Sequence, residues 1–166
     1  PIPSRHGVKT PLPERLATYY DYTPLQLTMT EGSFHKGDNY TKREMQLLGP
    51  EESDLRATQI DWYQPHPSPY PFPKGERVRL PTILISPILA GNDLYIDEFA
   101  RFFASKGMNA VIIYRPKELF SGDRTLSDIE KHLKESVIQI RRVLDWLETQ
   151  ETVDPQRIGS FSISMG

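Results

Sequence analysis

Ser162-Ile163-Ser164-Met165-Gly166 closes the sequence: a β-type run, Arg157 to Ile163, leads to a serine with glycine two places on. A serine at a sharp turn out of a strand can present its hydroxyl to an acyl carbon. Attack then needs a base to take the proton, a carboxylate to orient the base, and N–H donors facing the developing oxyanion. Strand and following helix pass close at such a turn, so the residues two before and two after the serine must be small. Gly166 meets that need, and at the other position Ser162 is the smallest choice after glycine. Neither Ser160 nor Ser162 has glycine two places on, so Ser164 is the register that fits.

A serine of this kind has to be delivered by a buried strand, and the second half of the sequence alternates strand and helix signals. Pro81 to Ser86 (PTILIS) is a short β-branched run suited to burial on both faces of a parallel sheet. Asp93 to Lys106, carrying Leu94, Phe99, Phe102 and Phe103, reads as a helix stopped by Gly107. Asn109 to Tyr114 (NAVIIY) is a second buried strand, followed by a polar loop from Arg115 to Leu126. Ser127-Asp128-Ile129-Glu130 has the form of a capping box. It opens a helix whose apolar face is expected along Ile129, Leu133, Val137, Ile140, Leu144 and Leu147. Arg157 to Ile163 is the third strand. Strand, helix, strand, helix, strand at these spacings implies βαβ units and a doubly wound, mostly parallel sheet.

The first half follows a different grammar. Leu25, Leu27 and Met29 alternate with polar residues, as do Met45 and Leu47; Arg56, Thr58, Ile60 and Trp62 alternate with Leu55, Ala57 and Gln59. This period of two predicts an antiparallel β-meander over 25–63, with a turn at Gly37-Asp38-Asn39 and a stop at Gly49-Pro50. Residues 1–24, with Tyr19, Tyr20 and Tyr22, are expected to form an amino-terminal arm or short helix packed across the surface. Between the halves, Pro65, Pro67, Pro69, Pro71 and Pro73 alternate through 64–74. Each ring fixes φ and pushes its predecessor towards extended conformations, which makes a stiff connector. The expected organisation is thus an arm (1–24) and one domain (25–166), in which 75–166 carries the βαβαβ series.

Bulk properties narrow the function. A net charge of −2 offers no basic surface for nucleic acid. The absence of cysteine removes disulfides, thiolate metal sites and a cysteine nucleophile. No apolar run approaches the ~20 residues of a transmembrane helix, and no G-x-G-x-x-G, Walker loop or H-E-x-x-H occurs. No cofactor or metal is expected.

The tract Val153-Asp154-Pro155-Gln156-Arg157-Ile158-Gly159 ahead of Ser164 is similar to the V-D-P-x-R-I-G lead-in of dienelactone-hydrolase-like and prolyl-oligopeptidase-like proteins. Together with the strand order and the S-x-S-x-G turn, the sequence from about Pro81 to Gly166 resembles the amino-terminal half of an α/β-hydrolase, up to its nucleophile elbow. The resemblance implies an α/β-hydrolase fold, incomplete at its carboxyl side, and a serine hydrolase acting on a small acyl ester through an acyl-enzyme. It implies Ser164 as nucleophile and the Met165 N–H as one oxyanion donor. The second donor belongs to the loop after the first parallel strand, where this sequence has Pro87-Ile88-Leu89-Ala90-Gly91 and lacks the family's H-G. Leu89 is the expected donor, with Ile88 close behind and expected to touch substrate; the other reading is an ordinary βα loop. Arg115 leaves the next strand at the edge where open α/β sheets bind ligands, so it is a candidate substrate contact or a surface ion-pair partner.

In this superfamily the acid and histidine follow the serine, so the resemblance places both beyond residue 166. His6, His35, His66 and His132 are therefore expected to be solvated or packing residues. A second polypeptide or chain segment is expected to complete the fold, and residues 1–166 alone are expected to be inactive. The alternative is a truncated or degenerate relative serving as a binding or structural module. Ser162 in place of glycine and the missing H-G favour that alternative.

Overall fold

The computed structural model describes residues 13–22, 27–49, 57–66, 78–87, 94–114 and 125–162. Among them, six strands form one sheet in the order β1-β2-β3-β5-β4-β6. β1 (Thr28–Lys36), β2 (Tyr40–Leu48) and β3 (Thr58–Pro65) are an antiparallel meander, and β3 pairs antiparallel with β5 (Asn109–Ile113). β4 (Leu80–Ser86) lies between β5 and β6 (Val153–Ser162) and is parallel to both. The fold is a mixed α/β sheet flanked by helices, consistent with the α/β-hydrolase-like arrangement that the resemblance implied.

The elements follow from local chemistry. The turn between β1 and β2 falls at Gly37-Asp38-Asn39, where Gly37 N–H donates to the Tyr40 carbonyl at 2.9 Å. β1 is exposed along its whole length and carries one extra residue between Glu31 and Phe34. At that bulge a Cβ on Gly32 would stand 3.1 Å from the Glu44 carbonyl oxygen, so the close approach of the two backbones favours glycine. β3 runs to Pro65, paired with Tyr40, so the proline-rich stretch begins as strand; a proline is tolerated there because the ladder ends with it. The rest of that stretch, 67–74, lies outside the described residues.

α2 (Leu94–Ser105) joins β4 to β5 and ends in a Schellman motif. Gly107, at φ 81°, donates to Ala104 O at 3.0 Å and Met108 N–H donates to Phe103 O at 3.2 Å. α3 (Leu126–Glu148) joins β5 to β6. The two helices cover opposite faces. Ile96, Ala100 and Ala104 of α2 pack with Tyr63, Ile85, Ala110 and Ile112, while Val143, Trp146 and Leu147 of α3 pack with Met45, Leu47, Ile60, Trp62, Leu84 and Val111. That arrangement buries all five residues of β5.

Two expectations about α3 are corrected. Its capping box is Thr125 with Asp128, not Ser127 with Glu130: the Asp128 amide donates to Thr125 Oγ1 at 3.2 Å and the Thr125 amide to Asp128 Oδ2 at 3.0 Å. Glu130 is engaged elsewhere, accepting from the Tyr19 hydroxyl at 2.7 Å. The buried face coincides with the expected stripe only in part. It runs through Ser136, Gln139, Val143, Trp146 and Leu147, with Ile140 and Leu144 packed against the same core, while Leu133 is 44% exposed. Ser136 can line a buried face because its hydroxyl donates to the His132 carbonyl at 2.9 Å.

The short α1 (Glu14–Tyr19) and the residues after it lie along α3. The Tyr22 hydroxyl donates to Asp145 at 2.6 Å, Arg141 donates to the Tyr20 carbonyl at 2.6 Å, and the Arg141 guanidinium sits 4.3 Å from the Tyr22 ring centre. Burial and the Asp145 carboxylate both push the Tyr22 phenol above its ordinary pKa.

Candidate active site

The chain winds from β4 through α2 to β5 on one side, then back over β4 through α3 to β6 on the other. Winding therefore reverses between β4 and β6. Open α/β sheets bind ligands in the crevice outside the carboxyl ends of the strands at such a point. The register brings the ends level: Ser86 of β4 is the partner of Ser162 in β6, and Ile85 lies between Ile112 of β5 and Phe161 of β6.

Ser164 and Met165, Ile88 and Leu89, and Arg115 all lie outside the described residues. What is described are their stems. Ser162 stands two residues before Ser164, Pro87 directly before Ile88, and Tyr114 directly before Arg115, each at the carboxyl end of one of three adjacent parallel strands.

The β6 stem is fixed at both ends. Phe161 packs against Phe99 and Phe103 of α2, tilted to one ring and edge-on to the other, with ring centres 4.8 and 5.5 Å apart. At the start of the strand, Asp154 accepts from the Gln156 amide at 3.0 Å and from Arg157 Nε at 2.6 Å, while Arg157 also donates to the Arg79 carbonyl at 3.0 Å. These bonds give the V-D-P-x-R lead-in a structural job, locking the turn into β6 against the start of β4. The Arg157 guanidinium, followed by the Gln156 amide, holds the Asp154 carboxyl below its usual pKa.

A second group of side chains, absent from the sequence reading, ties the end of β5 to β2, β3 and the start of α2. Asp61 is buried at the centre of the sheet, 2% exposed. Its Oδ2 accepts from Lys42 Nζ at 2.7 Å and from the Tyr114 hydroxyl at 2.8 Å. Lys42 also lies 3.5 Å from Glu44 and 3.9 Å from Asp97, and 5.5 Å from the Tyr63 ring centre. The Tyr63 hydroxyl donates to Asp97 Oδ1 at 2.8 Å. Burial pushes the Asp61 carboxyl up, against the Lys42 and Tyr114 bonds that favour its charged form. For Lys42, burial works to lower the pKa, but the Asp61, Asp97 and Glu44 carboxylates prevail and raise it. Burial, then the bond to Asp97, drives the Tyr63 phenol far above its ordinary value, so it stays a neutral donor. A signal did exist in the sequence: Asp61 interrupts Ile60 and Trp62-Tyr63, an apolar context that rarely holds a carboxylate without a counter-ion.

Of the four histidines, His35 and His66 belong to the opposite, amino edge of the sheet, and His66 Nδ1 lies 3.1 Å from the Asp38 carbonyl oxygen. His132 is on α3, 3.2 Å from Glu135; His6 lies outside the described residues. Among the described residues no three His, Asp or Glu side chains gather as a metal site, and no helix is long and apolar enough to cross a membrane.

No protein-family model matches the sequence, and no curated protein matches it as a relative. Solved structures do match in fold. An acetyl xylan esterase described as putative, from Bacteroides fragilis NCTC 9343, superposes with a TM-score of 0.66 at 16% identity, over 92% of this chain and 45% of that one. A glucuronoyl esterase from Solibacter usitatus gives 0.60 at 15% identity, over 92% and 51%. An acetyl xylan esterase from Paenibacillus sp. R4 gives 0.57 at 18% identity, over 89% and 49%. The chain spans about half the length of these esterases and shares with that half its α/β-hydrolase-type fold.

Proposed function

We propose that this chain is the amino-terminal part of a serine-dependent hydrolase that cleaves a carboxylic ester or related acyl bond through an acyl-enzyme. The observation that supports this most is the level pairing of Ser86 with Ser162 at the reversal of winding, two residues ahead of Ser164. In this reading Ser164 Oγ attacks the acyl carbon and its proton passes to a histidine. The Met165 and Leu89 amides hold the oxyanion, and the protonated histidine returns the proton to the departing alcohol. Water then releases the acid and restores Ser164. Ile88 and Arg115 touch the substrate. The acid and histidine belong to a further chain segment or second polypeptide, residues 25–166 being the first part of one domain and 1–24 its arm.

The fold is shared with proteins named acetyl xylan esterase and glucuronoyl esterase, which makes an ester the first bond to test. The full-length protein is expected to hydrolyse p-nitrophenyl acetate, and Ser164→Ala to abolish that turnover while leaving the melting temperature in place. Equal turnover by wild type and Ser164→Ala would remove the serine from the mechanism. A second reading, a non-catalytic binding or structural relative, draws on Ser162 where the family has glycine and on the H-G missing from Pro87–Gly91. It predicts no turnover in the folded full-length protein.

A further inference from the structure

We infer that Lys42, Asp61, Tyr63, Asp97 and Tyr114 form a buried polar strut whose role is to position the carboxyl-edge site, an inference that rests on the hydrolase reading above. The strut joins four elements: Lys42 from β2, Asp61 and Tyr63 from β3, Asp97 from α2 and Tyr114 at the end of β5. Its two outer hydrogen bonds end on the residues that border the site's loops. Asp97 lies in the first turn of α2, which begins directly after residues 88–93. Tyr114 is the last described residue before Arg115, and its own amide donates to the Gln59 carbonyl at 3.0 Å. Lys42 sits between the Asp61 and Asp97 carboxylates and joins the two hydrogen bonds into one network.

Stability alone does not explain this choice of residues. Ion pairs taken out of water are commonly no more stabilising than apolar side chains of the same volume, and Asp61 is held in its charged pair against the pull of burial. Asp61 Oδ1 is buried and has no partner among the described residues, a further cost of keeping a carboxylate here. Hydrogen bonds supply what packing does not, a fixed direction and distance. Apolar contacts between helix and sheet tolerate small slides, whereas the Tyr63–Asp97 bond sets the height of the start of α2 above β3. The Tyr114–Asp61 bond does the same for the end of β5. Oxyanion donors act only when held at hydrogen-bond distance from where charge develops, so anchoring the start of α2, which follows residues 88–93, bears on rate.

Tyr63→Phe and Tyr114→Phe each delete one hydroxyl and keep the ring. In the full-length protein with p-nitrophenyl acetate, each should lower kcat about 10-fold or more with KM held within about twofold. Asn109→Ala is the control. It removes a buried amide that donates to Thr82 Oγ1 and the Thr152 carbonyl at the amino edge, and should lower the melting temperature without moving kcat. Wild-type kcat in both phenylalanine variants overturns the inference. If the wild type itself has no esterase activity, the hydrolase reading fails and amide hydrogen exchange decides the strut separately. Loss of protection confined to 94–100 and 111–114 in the two variants supports it, and unchanged protection there overturns it.

Discussion

Asp61 Oδ2 serves two donors from opposite sides, the Lys42 ammonium at 2.7 Å and the Tyr114 hydroxyl at 2.8 Å, in the middle of a sheet otherwise packed with apolar side chains. Removing the cation strands a buried carboxylate. Lys42→Met is expected to cost about 3 kcal/mol at pH 7, and Lys42→Met/Asp61→Asn to recover a large part of it, both read by urea denaturation. A loss below about 1 kcal/mol for the single variant would mean that the pair contributes only as an exposed salt bridge does.

The same pair carries a pH signature. The Asp61 carboxyl is raised above its ordinary 3.8 by burial, and loss of Lys42 removes the main influence lowering it. A carboxyl with a raised folded-state pKa contributes stability that is complete below its unfolded pKa and lost as pH climbs through the folded one. The deficit of Lys42→Met relative to wild type is therefore expected to shrink as pH falls from 7 towards 4. A deficit that stays constant across that range would contradict the assignment.

Asp154 gives the opposite sign. Its carboxyl is held below 3.8 by the Arg157 guanidinium and the Gln156 amide, so its contribution is full above that value and lost as pH falls through the lowered one. Asp154→Asn should melt below wild type at pH 7, with the gap closing at more acid pH. A gap of the same size at pH 3 and pH 7 would argue against the turn-locking role given to Asp154 and Arg157.

The start of α3 separates two neighbouring residues. Thr125→Ala removes the N-cap and is expected to cost about 1 kcal/mol, whereas Ser127→Ala should change stability by less than about 0.5 kcal/mol. The reverse ranking in urea denaturation would return the cap to Ser127.

The core where α3 meets the meander rests on Trp62 and Trp146, whose rings meet edge to face with centres 5.5 Å apart. Trp146→Ala is expected to cost about 3–5 kcal/mol and to weaken the near-ultraviolet circular dichroism of Trp62. Unchanged stability would place Trp146 outside the core.

How much of this was legible depends on what each signal encodes. A period-two pattern reports which way side chains face, so Met45, Leu47 and Ile60 revealed the meander, while the apolar runs Pro81 to Ser86 and Asn109 to Tyr114 revealed the parallel strands, of the kind buried on both faces. The helix stop at Gly107 was legible because its positive φ selects glycine, and the turn at Gly37 because a Cβ there would run into the Tyr40 ring. The α3 face was read only in part: Ile140, Leu144 and Leu147 do meet the core, but its buried line also passes through Ser136 and Gln139, polar residues that an apolar count skips. Thr125 was passed over because Thr-x-x-Asp and Ser-x-x-Glu overlap by two residues; the reciprocal Thr125–Asp128 bonds, with Glu130 engaged by Tyr19, separate them. The strut was hidden for a different reason. Lys42, Asp61 and Asp97 are far apart in sequence, and an Asp in an alternating strand reads as an outward-facing residue until both faces of the sheet are seen to be covered. Ser164 was singled out because its neighbours in sequence carry the motif; it lies outside the described residues, and the register places only Ser162, level with Ser86.

The most direct test of the central claim is covalent labelling of the folded full-length protein with a fluorophosphonate, followed by peptide mass mapping. A single adduct on Ser164, absent from Ser164→Ala, is the result this account predicts. A folded wild-type protein that takes up no label, or takes it on another serine, would contradict it.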